Sequence, residues 1–433
     1  MAREMKDSGI EWIGKIPKNY SVYRLKHLLK RALDYGANSS GVEYSNHLPR
    51  YIRITDIAAD GKLKNDGALS LELEDASPYI LEDGDILFAR SGATVGKSFI
   101  YHTEYGRAAF AGYLIRAQLK EKIVPEYVYY YTCSTGYDIW KNGIFIQSTI
   151  QNISADKYAN LPIVLPKTKD EQMQIVSFLK NTCVELDNVI EKTRASIEEY
   201  KKLKQSVISQ AVTRGIRGDR EMKDSGYEII GMIPYDWEVC KFGKCVAIKS
   251  NLVAPEKYMN YLQIAPDNIE KAAARLLNNI KTVKEAGVVS GNHLFHKGQI
   301  IYSKIRPMLN KLVIAPFDGL CSADMYPIET ENDTEYIVFL MLSDLFLSQV
   351  GLVTMNRVKM PKINQSELIN IRVSLPKIKE QREIAEYLKH KCTQLDEIID
   401  KKEQYLREIE NYKKSLIYEY ITGKKEVPQG YLT

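Results

Sequence analysis

The chain has 433 residues, of which 45% are hydrophobic and 27% charged, with a formal net charge of +5 and a pI near 8.6. That length provides two or three domains with cores of their own, which excludes a disordered chain, and the mild positive balance permits a polyanionic partner without the field of a histone-like binder. Six cysteines without paired CxxC spacing, and no signal peptide or long apolar run, exclude a zinc framework and a membrane span; a soluble, cytoplasmic protein with reduced thiols and no metal is expected.

In chain order, the first element is a leader, MKDSGIEWIGKIP, from Met5 to Pro17. It returns as MKDSGYEIIGMIP from Met222 to Pro234, identical at ten of thirteen positions. Between the leaders lie short β-branched and aromatic runs broken by Gly, Asp, Asn and Pro: YIRITDI at Tyr51, GDILFA at Gly84, SFIYH at Ser98 and GYLIRAQL at Gly112. YVYYY at Tyr127 reads as an amphipathic helix or strand on the core. A run stopped by proline, LPIVLPK at Leu161, closes this stretch, as IRVSLPK at Ile371 closes the second, where YLQIAP, GQIIYSKI and KLVIAP repeat the pattern loosely.

Glu171 to Thr213 then aligns without a gap on Glu380 to Thr422, with fifteen identities in forty-three positions. A fixed order of leader, variable middle and helix, run through twice, marks a tandem duplication. Apolar residues fall at alternating steps of four and three, carried by Leu179, Leu186, Ile190 and Ile197 in the first copy and by Leu388, Leu395, Ile399 and Leu406 in the second. That is the seam of a coiled coil, interrupted by polar layers at Thr193, Lys204, Lys402 and Lys413. The interruptions are expected to set register, with lysine stems packed and ammonium groups in water. Thr168 with Glu171 spells a capping box, and Gly215 and Gly423 are natural stops.

The chain thus divides into a first domain with its leader over residues 1–168, a first helix over 169–216, a second domain with its leader over 217–377 and a second helix over 378–425. The expected fold class is α+β: two mixed α/β domains joined by two long antiparallel coiled-coil helices in a pseudo-twofold, circular arrangement. Such an arrangement brings the end of the second helix to the first leader, and so the termini close together.

Catalytic patterns are missing. SGATVGKS, from Ser91 to Ser98, has three residues between its glycines where a Walker loop needs four, and its counterpart KIRPMLNK at Lys304 has no glycine. Glu199-Tyr200-Lys201 has no Pro-Asp partner for a nuclease site, and no Asn-Pro-Pro or Asp-Pro-Pro tetrapeptide marks an amino-methyltransferase. His293 and His296 read as a loop pair. The chain is expected to do no chemistry itself. What remains is a polar inventory at matching points of the two middles, FIQSTIQNISADKY at Phe145 and TMNRVKMPKINQSEL at Thr354. Gln and Asn can bond adenine in a bidentate way, and Arg or Lys can read guanine.

The leader, the GDILFARSGATVGK strand and loop, and LPKTKDEQMQIVSFL running into a coiled coil together resemble the specificity subunit of type I restriction-modification systems. The resemblance covers nearly the whole chain. It implies two target-recognition domains, each reading half of a bipartite site in double-stranded DNA, with helices that set the spacer and dock two methyltransferase subunits. Restriction subunits would join that core; S-adenosylmethionine, ATP and Mg would sit on those partners and no cofactor on this chain. Half-sites about one helical turn apart, roughly 35 Å, put both readers on one face of the duplex. One heptad of helix adds about 10 Å, or about three base pairs.

The expected DNA-binding residues are Arg90, Thr94, Lys97, Ser148, Gln151 and Asn152 in the first reader. In the second they are Lys304, Arg306, Asn310, Lys311, Asn356 and Arg357. Because Lys304-Ile305-Arg306-Pro307 replaces Arg90-Ser91-Gly92-Ala93, contacts need not transfer between readers. Rival readings are a methyltransferase or nuclease with an unseen motif, and a non-catalytic coiled-coil scaffold with two protein-binding modules.

Overall fold

A computed structural model describes residues 3–58, 61–92, 94–146, 151–355, 357 and 361–428. The chain divides into two compact units: Met1–Thr193 with Gln404–Thr433, and Arg194–Glu403. Each unit therefore takes one leader, one strand-rich middle and parts of both long helices, Lys169–Arg214 and Ile378–Ile421.

The repeated leader builds a repeated hairpin. Met5–Asp7 pairs with Lys15–Pro17, and Met222–Asp224 pairs with Met232–Pro234, in the same register. In each, an aspartate carboxylate accepts the N–H two residues on, Asp7 from Gly9 and Asp224 from Gly226, both at 2.9 Å. Those glycines sit at φ 77° and 75°, left-handed values that disfavour side chains, so the DSG tripeptide is retained for its turn.

In the first unit one sheet has the order Asp34–Tyr35, Leu114–Ala117, Ile86–Ala89, Ser98–Ile100, and a second has Ala108–Phe110, Arg50–Ile52, Leu69–Ser70, Val42–Glu43. The strands are shorter than the apolar runs that announce them; YIRITDI, for instance, turns into a 3-10 segment at Ile54–Asp56. YVYYY lies within the helix Pro125–Thr132, burying Tyr127 and Tyr131. The second unit repeats the first sheet as Ala247–Ile248, Met325–Glu329, Ile300–Ser303, Leu312–Ile314, while its other sheet has five strands.

The largest core of the first unit joins Ile13 and Ile16 of the leader and Tyr20 just after it to Ile175 and Leu179 of the first long helix and Leu416, Ile417 and Ile421 of the second. In the second unit Ile230, Ile233 and Trp237 meet Ile384, Leu388 and Cys392, together with Ile208, Ala211 and Val212. Of the seam residues, Leu179, Ile190, Ile197, Leu388 and Ile399 are buried, and Leu186, Leu395 and Leu406 are half-buried.

All four polar interruptions have protein partners. Lys413 reaches Asp187 at 2.7 Å in the first unit, and Lys204 reaches Asp396 at 2.7 Å in the second. Lys402 lies over the ring of Tyr200, and Thr193 donates back to the Val189 carbonyl of its own helix. The lysine heads expected in solvent are thus held by carboxylates, or in the case of Lys402 by an aromatic face.

The capping box is half formed. Thr168 Oγ1 accepts the Glu171 N–H at 3.3 Å, but the Glu171 carboxylate is drawn instead to Tyr20 Oη, 2.8 Å, and Arg3, 2.9 Å. Its repeat mate Glu380 is held in the same way by Trp237 Nε1, 3.2 Å, and Arg220. The next residue of each repeat caps another helix. Gln172 accepts the Val124 N–H ahead of Pro125–Thr132, and Gln381 accepts the Asp333 N–H ahead of Thr334–Leu342. Gly215 and Gly423 end the long helices at φ 75° and 69°. A Cβ on Gly423 would lie 2.6 Å from Pro17 and 2.8 Å from Tyr20, so this helix end abuts the first leader. Arg3 Nε is 3.1 Å from Glu426, which places the two ends of the described chain together.

Candidate nucleic-acid interface

In the first unit the reading candidates gather at one edge. The turn between Ile86–Ala89 and Ser98–Ile100 carries Arg90, Thr94 and Lys97. Ser91 bridges Asn152, and the Ile153 N–H donates to the Arg90 carbonyl at 2.9 Å, so two stretches sixty residues apart in sequence lie side by side. Lys97 and Gln151 are exposed, and Arg90, Thr94 and Asn152 are half-buried. Ser148 lies outside the described residues.

The Arg90 guanidinium stacks 4.9 Å above the ring of Tyr35, and Tyr113, 66% exposed, lends its carbonyl to the Arg90 N–H. Neither tyrosine was among the residues expected from sequence. In the sequence Tyr113 is only one residue of the GYLIRAQL run, and it lies just ahead of the strand Leu114–Ala117. The Arg90 Nε and Asn152 Oδ1 atoms are buried without a protein partner, polar capacity left at the edge.

The turn itself is not a phosphate cradle. The N–H groups of Val95, Gly96 and Lys97 are spent on the carbonyls of Gly92, Ala89 and Thr94. A Walker-type loop must leave such donors free.

The second unit reproduces this arrangement with other residues. Ile305 bridges Lys362, the Ile363 N–H donates to the Lys304 carbonyl at 2.9 Å, and the Arg306 N–H donates to Pro361 at 2.8 Å. Arg306 is exposed, in a left-handed conformation at φ 46°. Lys304 sits over the Tyr326 ring with its ammonium on the Ala323 carbonyl at 2.6 Å. Lys362, part of the TMNRVKMPKINQSEL stretch but not one of the expected contacts, joins this edge and pairs with Asp324 at 3.1 Å.

Three second-unit candidates are placed differently from a reading role. Asn310 is 1% exposed, donates to the Met341 carbonyl at 2.9 Å and ends the 3-10 turn Pro307–Leu309, so its side chain is part of the packing. Lys311 is mostly buried, its ammonium on the Pro266 carbonyl at 2.7 Å. Arg357 is clamped by Glu367. Asn356 lies outside the described residues. Among the described residues no group of three or more His, Cys, Asp or Glu could hold a metal, and no single helix is long and apolar enough to cross a membrane.

Two heads that share one strand order and one loop bridge, each built against long repeated helices, define a duplicated recognition protein. The profile of the Type I restriction modification DNA specificity domain matches it twice, over residues 17–199 and 237–411. The Type I restriction enzyme EcoDI specificity subunit of Escherichia coli is 30% identical over 321 residues, 70% of each chain. The MjaVIII specificity subunit of Methanocaldococcus jannaschii is 24% identical over 365 residues, 80% of each. A structure solved in work on complex assembly and conformational transition of the type I R-M system superposes with a TM-score of 0.69, covering 95% of this chain and 99% of that one at 13% identity. The chain belongs to the type I restriction-modification DNA specificity family.

Proposed function

We propose that this chain reads a bipartite DNA site, one half-site per unit, and does no chemistry of its own. The two long helices would lie antiparallel as a coiled coil related by a pseudo-twofold axis, set the spacer, and dock two methyltransferase subunits, with restriction subunits, ATP, Mg and S-adenosylmethionine belonging to the assembled complex. Within the first unit Asp187 meets Lys413 and Phe178 packs on Tyr420; within the second Asp396 meets Lys204 and Lys201 meets Glu403 at 3.1 Å. Rising numbers on one helix face falling numbers on the other, which supports antiparallel pairing in each unit.

The observation that carries the reading is the loop bridge. Ser91 with Asn152 and Ile305 with Lys362 present basic residues at the same edge of two heads that share little sequence. Shape is kept and letters change, as expected of two readers with different words. Methylome sequencing of cells carrying Arg90→Ala or Arg306→Ala tests it. Removing a base-reading side chain from the first unit relaxes one position of one half-site only, removing one from the second relaxes the other, and each mismatch is worth about 1–3 kcal/mol. Variants that left both half-sites unchanged at full strength would sink the assignment of this edge.

A further inference from the structure

We propose that Cys240 and Cys245 form an oxidant-sensitive dithiol, a modification site at which a small peroxide converts the pair into an intramolecular disulfide. Cys240 lies on the strand Glu238–Lys241, half-buried, and Cys245 follows the 3-10 turn Phe242–Lys244, buried. Their sulfur atoms are 3.4 Å apart. A disulfide bond of about 2.05 Å needs a closing movement of about 1.4 Å, which two side-chain torsions can share.

The surroundings favour the thiolate at the more accessible sulfur. The hydrogen bond with Cys245 pulls the Cys240 thiol below its ordinary value, burial opposes this, Lys244 and Arg372 assist and Glu238 opposes. Cys245 is pushed up in turn, chiefly by the same bond. The remaining four thiols are raised by burial, to about 11 for Cys133 and Cys392 and about 12 for Cys183 and Cys321. Since the thiolate is the nucleophile, attack concentrates at Cys240.

The step balances. The Cys240 thiolate attacks one oxygen of hydrogen peroxide, the O–O bond breaks, hydroxide leaves to take up the proton Cys240 released, and a sulfenic acid remains. The Cys245 sulfur then displaces the sulfenic oxygen, the S–S bond forms, and that oxygen departs as water with the Cys245 proton. Two thiols and one peroxide give one disulfide and two waters.

The site is confined to the second unit, because the positions 217 residues earlier hold Tyr23 and Leu28. It also bears on the second head. A Cβ on Gly243, within the closed turn, would lie 2.7 Å from Ile369 of the helix Gln365–Asn370, which also holds Glu367 and through it Arg357.

The purified full chain, exposed to hydrogen peroxide, alkylated and digested with trypsin, provides the test. The expected product links the peptide ending at Lys241 to the peptide beginning at Cys245, with a mass about 2 Da below the sum of the two. The other four cysteines stay alkylated, and a dithiol reductant restores the pair. In Cys245→Ser the link is lost and Cys240 is trapped as a sulfenic acid by dimedone; in Cys240→Ser, at the half-buried position, Cys245 remains alkylated. Sulfinic acid on Cys240 with Cys245 still alkylated, or a bridge between two chains, overturns the proposal.

Discussion

The two units solve one packing problem with different chemistry. In the first, Leu87 pairs with Arg116; in the second the equivalent Ile301 pairs with Pro327, both counted from a glycine of positive φ, Gly84 or Gly298. Arg116, 1% exposed, is held by Asp34 at 2.6 Å, by the Ile80 carbonyl at 2.7 Å and over the Phe110 ring. Beside it Asp85 accepts the Glu82 N–H and faces Gln118; in the second unit Gln299 accepts the His296 N–H and donates to Glu329 at 2.6 Å. Amide and carboxylate have exchanged places, and the second unit keeps its charge at the rim, where Lys249 meets Glu329. A shared backbone therefore tolerates either an ionic or a neutral interior at these positions, where each polar side chain meets a partner.

Arg116→Leu breaks this comparison hardest. The substitution leaves Asp34, Asp85 and the Ile80 and Pro78 carbonyls facing an apolar side chain. Removing one member of a buried ionic cluster costs about 3–5 kcal/mol. Chemical denaturation should show the first unit unfolding early while the second, with Pro327 at this place, is unaffected. A loss under about 1 kcal/mol would mean that the cluster is solvated and that the two interiors do not differ as described.

The glutamate that begins each long helix sharpens the comparison. Glu380 is 6% exposed and shared by Arg220 and Trp237, whereas Glu171 shares Tyr20 with the more exposed Arg3. Glu380→Gln should cost about 2–3 kcal/mol, because charge-assisted bonds to a buried partner are lost. Glu171→Gln should cost about 1 kcal/mol, since water can replace part of what Arg3 loses. Trp237 fluorescence follows the first directly. Equal costs would show that burial does not rank the two latches.

The repeats made the architecture legible. Heptad spacing gives both long helices within a few residues, and the duplicated leader gives both hairpins, because periodicity and turn chemistry are local. The partners of Glu171 and Gln172 were not legible, although both residues are identical in the repeat: identity tells that a side chain has a duty, and only tertiary structure brings Tyr20, Arg3 and Val124 to it. The reading edge was half visible. Ser91 and Asn152 meet beside Arg90 through a bridge between distant segments, and Arg306 stands at the equivalent edge, but the basic and polar residues at 310, 311 and 357 look the same in sequence while their surroundings turn them inward or into ion pairs. Tyr35 and Tyr113 carry no signal in the sequence, because no local pattern distinguishes a tyrosine beside a guanidinium from the other tyrosines of the chain.

The smallest expected effect lies in pH dependence, where the interiors should part again. Burial raises the Asp85 carboxyl to about 6, against the Glu82 N–H, Gln118 and Arg116, from 3.8 in an unfolded chain. Between those values the folded form keeps a proton that the unfolded form has released. The stabilisation from this group is therefore complete below about 3.8 and is lost as pH rises through about 6. Asp85→Asn imitates the protonated side chain and still offers an oxygen to the Glu82 N–H, as Gln299 does for His296 in the second unit. It should flatten the stability profile between about pH 4 and 6 and raise stability at pH 7 by about 1 kcal/mol. If instead the variant is destabilised at pH 7, the Asp85 charge is needed by Arg116, and the first interior is ionic at both of its acidic positions.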